Sequence, residues 1–289
     1  MIDKNYNFIK YKTYALVFSF VASILIIIGF FIKGLNLGID FQGGVVLEVA
    51  YKNANMDDNI QSFISQKGFK FNLQSKGAHS LVVQLSKDDK CADDCIDILK
   101  SDLQHNYPEV SIVRAEYVGP KASKHLIENS IYAFILAMIM MVVYIVIRFN
   151  WRYSIAAIIA LIHDVFFTVG FFIFCQYEFN LTSVAAILTI IGYSINDSVV
   201  IFDRIRENVN KRNGILSADL INKSINETLS RTIMTLLTTV AACGALWLFG
   251  GESLESFSAA TTFGIAFGTY SSIFIASNIL LFFKEGHGV

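Results

Sequence analysis

The chain has 289 residues, of which 54% are hydrophobic and 16% charged, with a formal net charge of -1. A soluble protein carries about a quarter charged residues, so this composition argues against a water-soluble globule. The near-neutral balance offers no basic surface for nucleic acid.

Lys4, Lys10 and Lys12 precede a first apolar run over 14–32. Its length, roughly 19 residues, exceeds an ordinary signal-peptide core, and no small-residue cleavage site precedes GLNLGIDFQGG. It reads as a retained anchor. Further runs long enough to cross a bilayer follow at 130–147, 154–175, 181–202, 232–249 and 257–283. About 18 apolar residues suffice to span, so the expectation is an α-helical membrane protein with six transmembrane helices. It divides into 1–33 (N-terminus and first helix), 34–127 (an exported domain) and 128–289 (helices two to six, with an amphipathic linker at 204–231).

Within 34–127, GGVVLEVAYK alternates as a strand, and MDDNIQSFISQKG has the apolar spacing of a helix through Ile60, Phe63 and Ile64. FKFNLQSK alternates through Phe69, Phe71 and Leu73, and HSLVVQLSK is a third strand. DDCIDILKSDLQHNY reads as a helix burying Cys95, Ile98, Leu99 and Leu103, and VSIVRAEYVG closes as a strand. The order β-α-β-β-α-β predicts a small α+β ferredoxin-like domain. It carries no triad, phosphate loop or ligand cluster, although a sheet edge could accept extended polypeptide. Cys91 and Cys95 lie four apart, leaving a local disulfide and free thiols both open; no second ligand pair suggests a metal. Cys175 and Cys243 read as small apolar residues of the spans.

Lysine and arginine set the orientation. They fill the links after the second and fourth spans (Arg148 and Arg152; Arg204, Arg206, Lys211, Arg212 and Lys223), whereas QYEFN and GGESLES have none. Both termini are therefore expected in the cytoplasm, with 34–127 on the opposite, periplasmic side. In the linker, Leu216, Leu220, Ile221 and Ile225 form an apolar stripe expected to lie on the membrane surface.

The polar residues inside the spans are the functional signal. Asp164, beside His163, falls about midway along the third span, and Asp197 lies near the end of the fourth. An unpaired aspartate at the centre of a membrane helix costs about 2.5–3.5 kcal/mol, so such residues face the bundle interior and carry function. Tyr193 and Ser194 are placed on the Asp197 face, with Asn196 next to it, and Thr228, Arg231, Thr235 and Thr238 form a polar stripe on span five. Gly264 and Gly268, four apart, suit a close helix contact. Two readings follow. Asp197 and Arg231 form a buried structural pair, or Asp197 is a proton carrier whose charge state Arg231 biases, with Asp164 extending the route. Burial favours the neutral acid and a nearby guanidinium the carboxylate, so relative motion of the two would bind and release a proton. His163 could extend the route as well, although a lone histidine beside an aspartate is more often a packing residue; Asp203, Arg206 and Glu207 read as a solvated helix end.

GIDFQGG at 38–44, YVGPKAS at 117–123, SINDSVVIFDRIREN at 194–208 and SINETLSRTIMTLLTT at 224–239 together resemble the SecF family, the smaller partners of SecD in bacterial protein export. The resemblance runs along nearly the whole chain. Gln42, Ser198 and Leu236 stand where the family often has Thr, Thr and Ser, and CADDC at 91–95 matches no family feature. It implies a resistance-nodulation-division type membrane fold in the bacterial inner membrane, without cofactor or chemical catalysis. The implied partners are SecD, the SecYEG channel, the translocating preprotein and the lipid bilayer, with the proton motive force driving late translocation. The family's proton-transport residues match Asp197 and Arg231, and its His-Asp pair makes Asp164 a secondary candidate. Alternatives are a small-molecule exporter of the same superfamily, disfavoured by six spans and one small exported domain, and an assembly factor without proton coupling.

Overall fold

The computed structural model describes residues 6–51, 56–66, 71–75, 80–85, 95–211 and 216–283. Its contacts divide the chain into two units, Leu37–Tyr132 and the remainder, Met1–Asn36 with Ala133–Val289.

In the larger unit, α1 (Lys12–Ile32) is followed by the long helices α5 (Pro120–Arg148, which begins in the smaller unit), α6 (Trp151–Cys175), α7 (Leu181–Lys211) and α8 (Ala218–Phe249). A last rod is made of α9 (Glu252–Ser271), a π-helical turn at Ser272–Ala276 and α10 (Ser277–Phe282). Six helical segments are thus long and apolar enough to cross a membrane. The interior lies between α6, α7 and the last rod, where Ala156, Ala160, Ile190, Ile191, Ala260 and Ala276 are almost fully buried. Small residues set the approach. A Cβ on Gly264 would run into the side chain of Ile190, one on Gly268 would come 3.1 Å from Ser194 Cβ, and one on Gly170 would strike Ile26. Without a hydrophobic force between helices in lipid, such close van der Waals packing is what joins them.

The helix ends are fastened by polar side chains. Asn36 Nδ2 donates to the Gln176 carbonyl at 2.9 Å, and the Phe179 amide donates to the Asn36 carbonyl at 2.7 Å, tying the end of α1 to the α6–α7 link. Near the N-terminus, the amides of Tyr6 and Phe8 donate to Asn226 Oδ1 (2.8 Å) and Asn222 Oδ1 (2.7 Å) on α8.

One expectation is corrected here. Residues 218–231 are no surface-lying linker but the first turns of α8, capped by Ser217, whose hydroxyl accepts from the Leu220 amide at 3.2 Å. Leu220, Ile221 and Ile225 are 1%, 0% and 1% exposed, so the apolar stripe faces α7 instead of lipid. The solvated end of α7 is an ion-pair lattice: Arg148 and Arg206 meet Asp203 at 2.7 and 3.3 Å, and Arg204 meets Glu227 at 2.7 Å and Glu207 at 2.6 Å. Such exposed pairs each contribute about 0–1 kcal/mol, but as a network they fix where α7, α8 and the α5–α6 link meet.

The smaller unit holds α2 (a single turn, Ile39–Gln42), β1 (Gly44–Ala50), α3 (Met56–Gln66), β2 (Phe71–Ser75), β3 (Ser80–Leu85), α4 (Cys95–Asn106) and β4 (Ser111–Val118). The sheet order is β2-β3-β1-β4 with every pair antiparallel. Inserting β3 between β1 and β2 is the split βαβ, so the ferredoxin-like expectation holds. Its core is Val45, Leu47, Val49, Leu81, Val83 and Leu85 from the two central strands, covered by Ile60, Ile64, Leu99 and Leu103. Ile98 is the exception to the expected stripe; it is 57% exposed because α4 presents Leu99 and Leu103 to the sheet. The double glycine before β1 has a conformational cause. Gly43 closes α2 at φ 68° and Gly44 sits at φ 116°, both in the region only glycine enters without strain. Phe69 and Cys91 lie outside the described residues, as does the side chain of Cys95, so the disulfide question is not addressed by the structure.

Candidate functional site: a carboxylate network in the helical core

Helical periodicity puts Ser194, Asp197 and Ser198 on one side of α7, facing α6 and the last rod. All three are buried, at 1%, 2% and 3% exposure. Asp164, 1% exposed, projects from α6 into the same layer and accepts a hydrogen bond from the Ser194 hydroxyl. Thr168 Oγ1 donates to the Asp164 backbone carbonyl at 2.8 Å, and Ser271 Oγ of the last rod donates to the Ala160 carbonyl on α6 at 3.4 Å. One turn along α7, Asp197 Oδ2 accepts from Thr269 Oγ1 at 2.9 Å. Ser272 completes the layer, with its hydroxyl 2.9 Å from Ser198 Oγ and 3.3 Å from the Ser194 carbonyl.

The widened turn at Ser272–Ala276 positions this side of the last rod. A π-turn adds a residue per turn and shifts the following side chains around the axis, and such turns recur at functional sites. Here Ser277 Oγ donates to the Ser272 carbonyl at 3.0 Å. Asn278 Nδ2 donates to the Phe274 carbonyl, while its Oδ1 is buried without a partner among the described residues.

The expected site residues separate into two groups. Asp164, Asp197 and Ser194 meet in the core as described. Asn196 does not join them: it is exposed on the far side of α7, one residue off the inward face. Tyr193 is half-buried, and its hydroxyl has no partner among the described residues. The buried structural pair between Asp197 and Arg231 is absent in this conformation. Arg231 is exposed and no ion pair within 4.0 Å links it to Asp197 among the described residues. Thr235 is half-buried and Thr238 exposed; both return their hydroxyls to their own helix, to the carbonyls of Arg231 (3.1 Å) and Met234 (2.9 Å).

Thr269, Ser271, Ser272 and Asn278 were missed by reading the sequence, as was the partner set of His163. The signal was present as TYSS and ASN inside an apolar run, but hydroxyls commonly return to their own helix carbonyls and so carry little weight alone. No three metal-ligating side chains converge among the described residues.

The molecule is thus a multi-pass membrane protein in which two carboxylates sit in the bundle interior, Asp197 held by a hydroxyl and Asp164 by a hydroxyl and the His163 ring. Residues 98–286 match the family model for the protein export membrane protein SecD/SecF, C-terminal, and residues 28–54 match the SecD/SecF GG motif. The chain belongs to this SecD/SecF protein-export family. It is 42% identical over 285 residues to the protein translocase subunit SecF of Rickettsia typhi, covering 97% of this chain and 92% of that one. The SecF of Rickettsia akari is 40% identical, with the same coverage. A crystal structure of SecDF from Thermus thermophilus superposes with a TM-score of 0.88 at 33% identity, over 98% of this chain and 39% of that longer chain. SecDF in a super-membrane-facing form gives 0.68 at 31% identity, over the same shares of each chain. Membership in the family makes the protein an accessory membrane subunit of Sec protein translocation.

Proposed function

We propose that the chain forms the smaller half of a proton-driven export unit, paired with a SecD-type subunit and working beside the SecYEG channel. It draws preproteins across the bacterial inner membrane using the proton motive force, without chemical catalysis. Both termini face the cytoplasm and residues 34–127 the opposite side, a reading that rests on where Lys and Arg fall between the spans.

One observation carries the proton-coupling reading. Asp197 is 2% exposed, is fastened by a single hydroxyl from Thr269, and has Arg231 outside ion-pairing distance. A permanently ionised carboxylate in that setting would need a cation. An acid that is neutral here, and becomes ionised when helix motion brings Arg231 against it, needs none. Each cycle of approach and withdrawal then releases and rebinds one proton, and the same motion can be passed to the exported domain.

The test uses cells depleted of their own copy and complemented with wild type or Asp197→Asn at matched membrane levels. The amide keeps the size and the Thr269 contact but cannot titrate. Wild type should restore uncoupler-sensitive maturation of a secretory protein, and the Asn variant should not. Equal restoration by both would overturn the coupling.

A further inference from the structure

His163 does not behave as a packing residue. Its ring stacks on Phe167 at 4.2 Å between centroids, yet both nitrogens are engaged. Nδ1 lies 3.4 Å from Asp164 Oδ1, and Nε2 lies 3.1 Å from Ser19 Oγ on α1. Ser19 Oγ is 3.2 Å from the Tyr270 hydroxyl on α9, which in turn donates to the Ala15 carbonyl at 2.9 Å. Ala15 is in the first turn of α1, so this chain leads from the buried carboxylate to the end of the bundle where the polypeptide begins. Phe167, Phe267 and Tyr270 line the ring, and Asp164 is the ionisable group in hydrogen-bonding contact with it among the described residues.

We propose that His163 is a proton relay, exchanging protons between the Ser19–Tyr270 branch and Asp164. The idea rests on the proton-coupled reading above and extends it to a second route into the core. Counting donors and acceptors along the chain allows two self-consistent states. With Asp164 protonated, its O–H donates to Nδ1, Nε2–H donates to Ser19, Ser19 to Tyr270, and Tyr270 to the Ala15 carbonyl. With Asp164 ionised, Nδ1–H donates to the carboxylate, Ser19 donates to Nε2, and Tyr270 donates to Ser19. Between the states the bonds linking Asp164, His163, Ser19 and Tyr270 reverse, whereas Tyr270 reaches the Ala15 carbonyl only with Asp164 protonated, because a carbonyl cannot donate. Ser19 gives its O–H proton to Nε2, Tyr270 reprotonates Ser19, and water at the Tyr270 end reprotonates Tyr270, so His163 becomes the imidazolium; loss of its Nδ1 proton to Asp164 restores neutral imidazole and leaves the acid neutral. One proton has then moved inward, with no bond broken besides N–H and O–H.

The test uses the full chain with its partner subunits in depleted cells, at matched membrane levels. His163→Phe preserves the stack on Phe167 and removes both nitrogens. His163→Gln preserves a donor and an acceptor toward Ser19 and Asp164 but takes up no proton. Tyr270→Phe preserves the aromatic contacts and cuts the branch. Uncoupler-sensitive maturation is followed as a function of pH. Both His163 variants should lose rate on the order of a hundredfold and lose its pH dependence, as removal of a proton-transfer group does, and Tyr270→Phe should lose rate in the same direction. Wild-type rate from the Gln variant reduces His163 to a hydrogen-bonding spacer, and from the Phe variant to a packing ring. A reduced rate with the wild-type pH profile also overturns the relay. Asp197→Asn, run alongside, separates the cases: if it exports normally, proton coupling itself has failed, whereas an inactive Asn variant beside an active Gln variant removes only the relay.

Discussion

The Ser194 hydroxyl of α7 donates to the carboxylate of Asp164 on α6, joining two neighbouring membrane helices near their middles by one hydrogen bond to an ionisable group. Ser194 also lies one helical turn from Asp197, and its backbone carbonyl accepts from Ser272. The two carboxylates are therefore connected through one turn of α7.

Ser194→Ala removes the donor while leaving the helix-forming tendency intact. A buried polar group that loses its partner costs about 1–3 kcal/mol. The purified variant should unfold at lower temperature than wild type. Unchanged stability would show that His163 satisfies Asp164 without it.

Thr269 holds Asp197 through one contact of 2.9 Å. Thr269→Val keeps the branched shape and removes the hydroxyl, so the carboxyl loses its donor at a cost of about 1–3 kcal/mol. Thr269→Ser keeps the hydroxyl and should retain export. Export assays on the pair separate the hydrogen bond from the methyl group: the Val variant should be impaired and the Ser variant close to wild type.

Gly264 and Gly244 give opposite expectations from the same substitution. An alanine at 264 drives its methyl into Ile190, and overpacking of this kind costs about 1–3 kcal/mol. At 244 nothing lies within 4 Å, so alanine should be neutral or stabilising by up to about 1 kcal/mol through helix propensity. Thermal unfolding of both variants in detergent checks the contrast, and Gly264→Ala should also weaken export because it parts α9 from α7.

Gly43→Ala tests the double-glycine corner. Its φ of 68° is strained for alanine, and the new Cβ would sit 3.1 Å from Ser123 Oγ and 3.3 Å from the Val118 carbonyl. A non-glycine residue held there costs about 1–3 kcal/mol. Limited proteolysis should then cut residues 37–132 faster than in wild type, and an unchanged rate would show that the corner relaxes.

Much of this was legible beforehand, and the reasons are local. Membrane helices announce themselves by length and apolarity, since a backbone in lipid must satisfy its own hydrogen bonds. The small domain was readable through Val45, Leu47 and Val49 alternating into its core and Ile60 and Ile64 returning at helical spacing. The two aspartates stood out because charge inside a span is costly enough to be rare.

What escaped was decided by neighbours distant in sequence. Periodicity assigns Asp197 a face of α7 but not what lies opposite, and the Thr269 partner is 72 residues away. Arg231 sits at a suitable depth on its own helix, yet whether a guanidinium closes on a carboxylate depends on how α8 is rotated and placed. The stripe of Leu220, Ile221 and Ile225 looks the same whether it meets lipid or a helix, because both are apolar; packing against α7 settled it. His163 changes from a packing ring to a bridging group through Ser19, 144 residues earlier in the chain. Elements and charged positions follow from short-range periodicity and solvation cost, whereas pairing follows from helix rotation and close approach, which depend on every contact in the bundle at once.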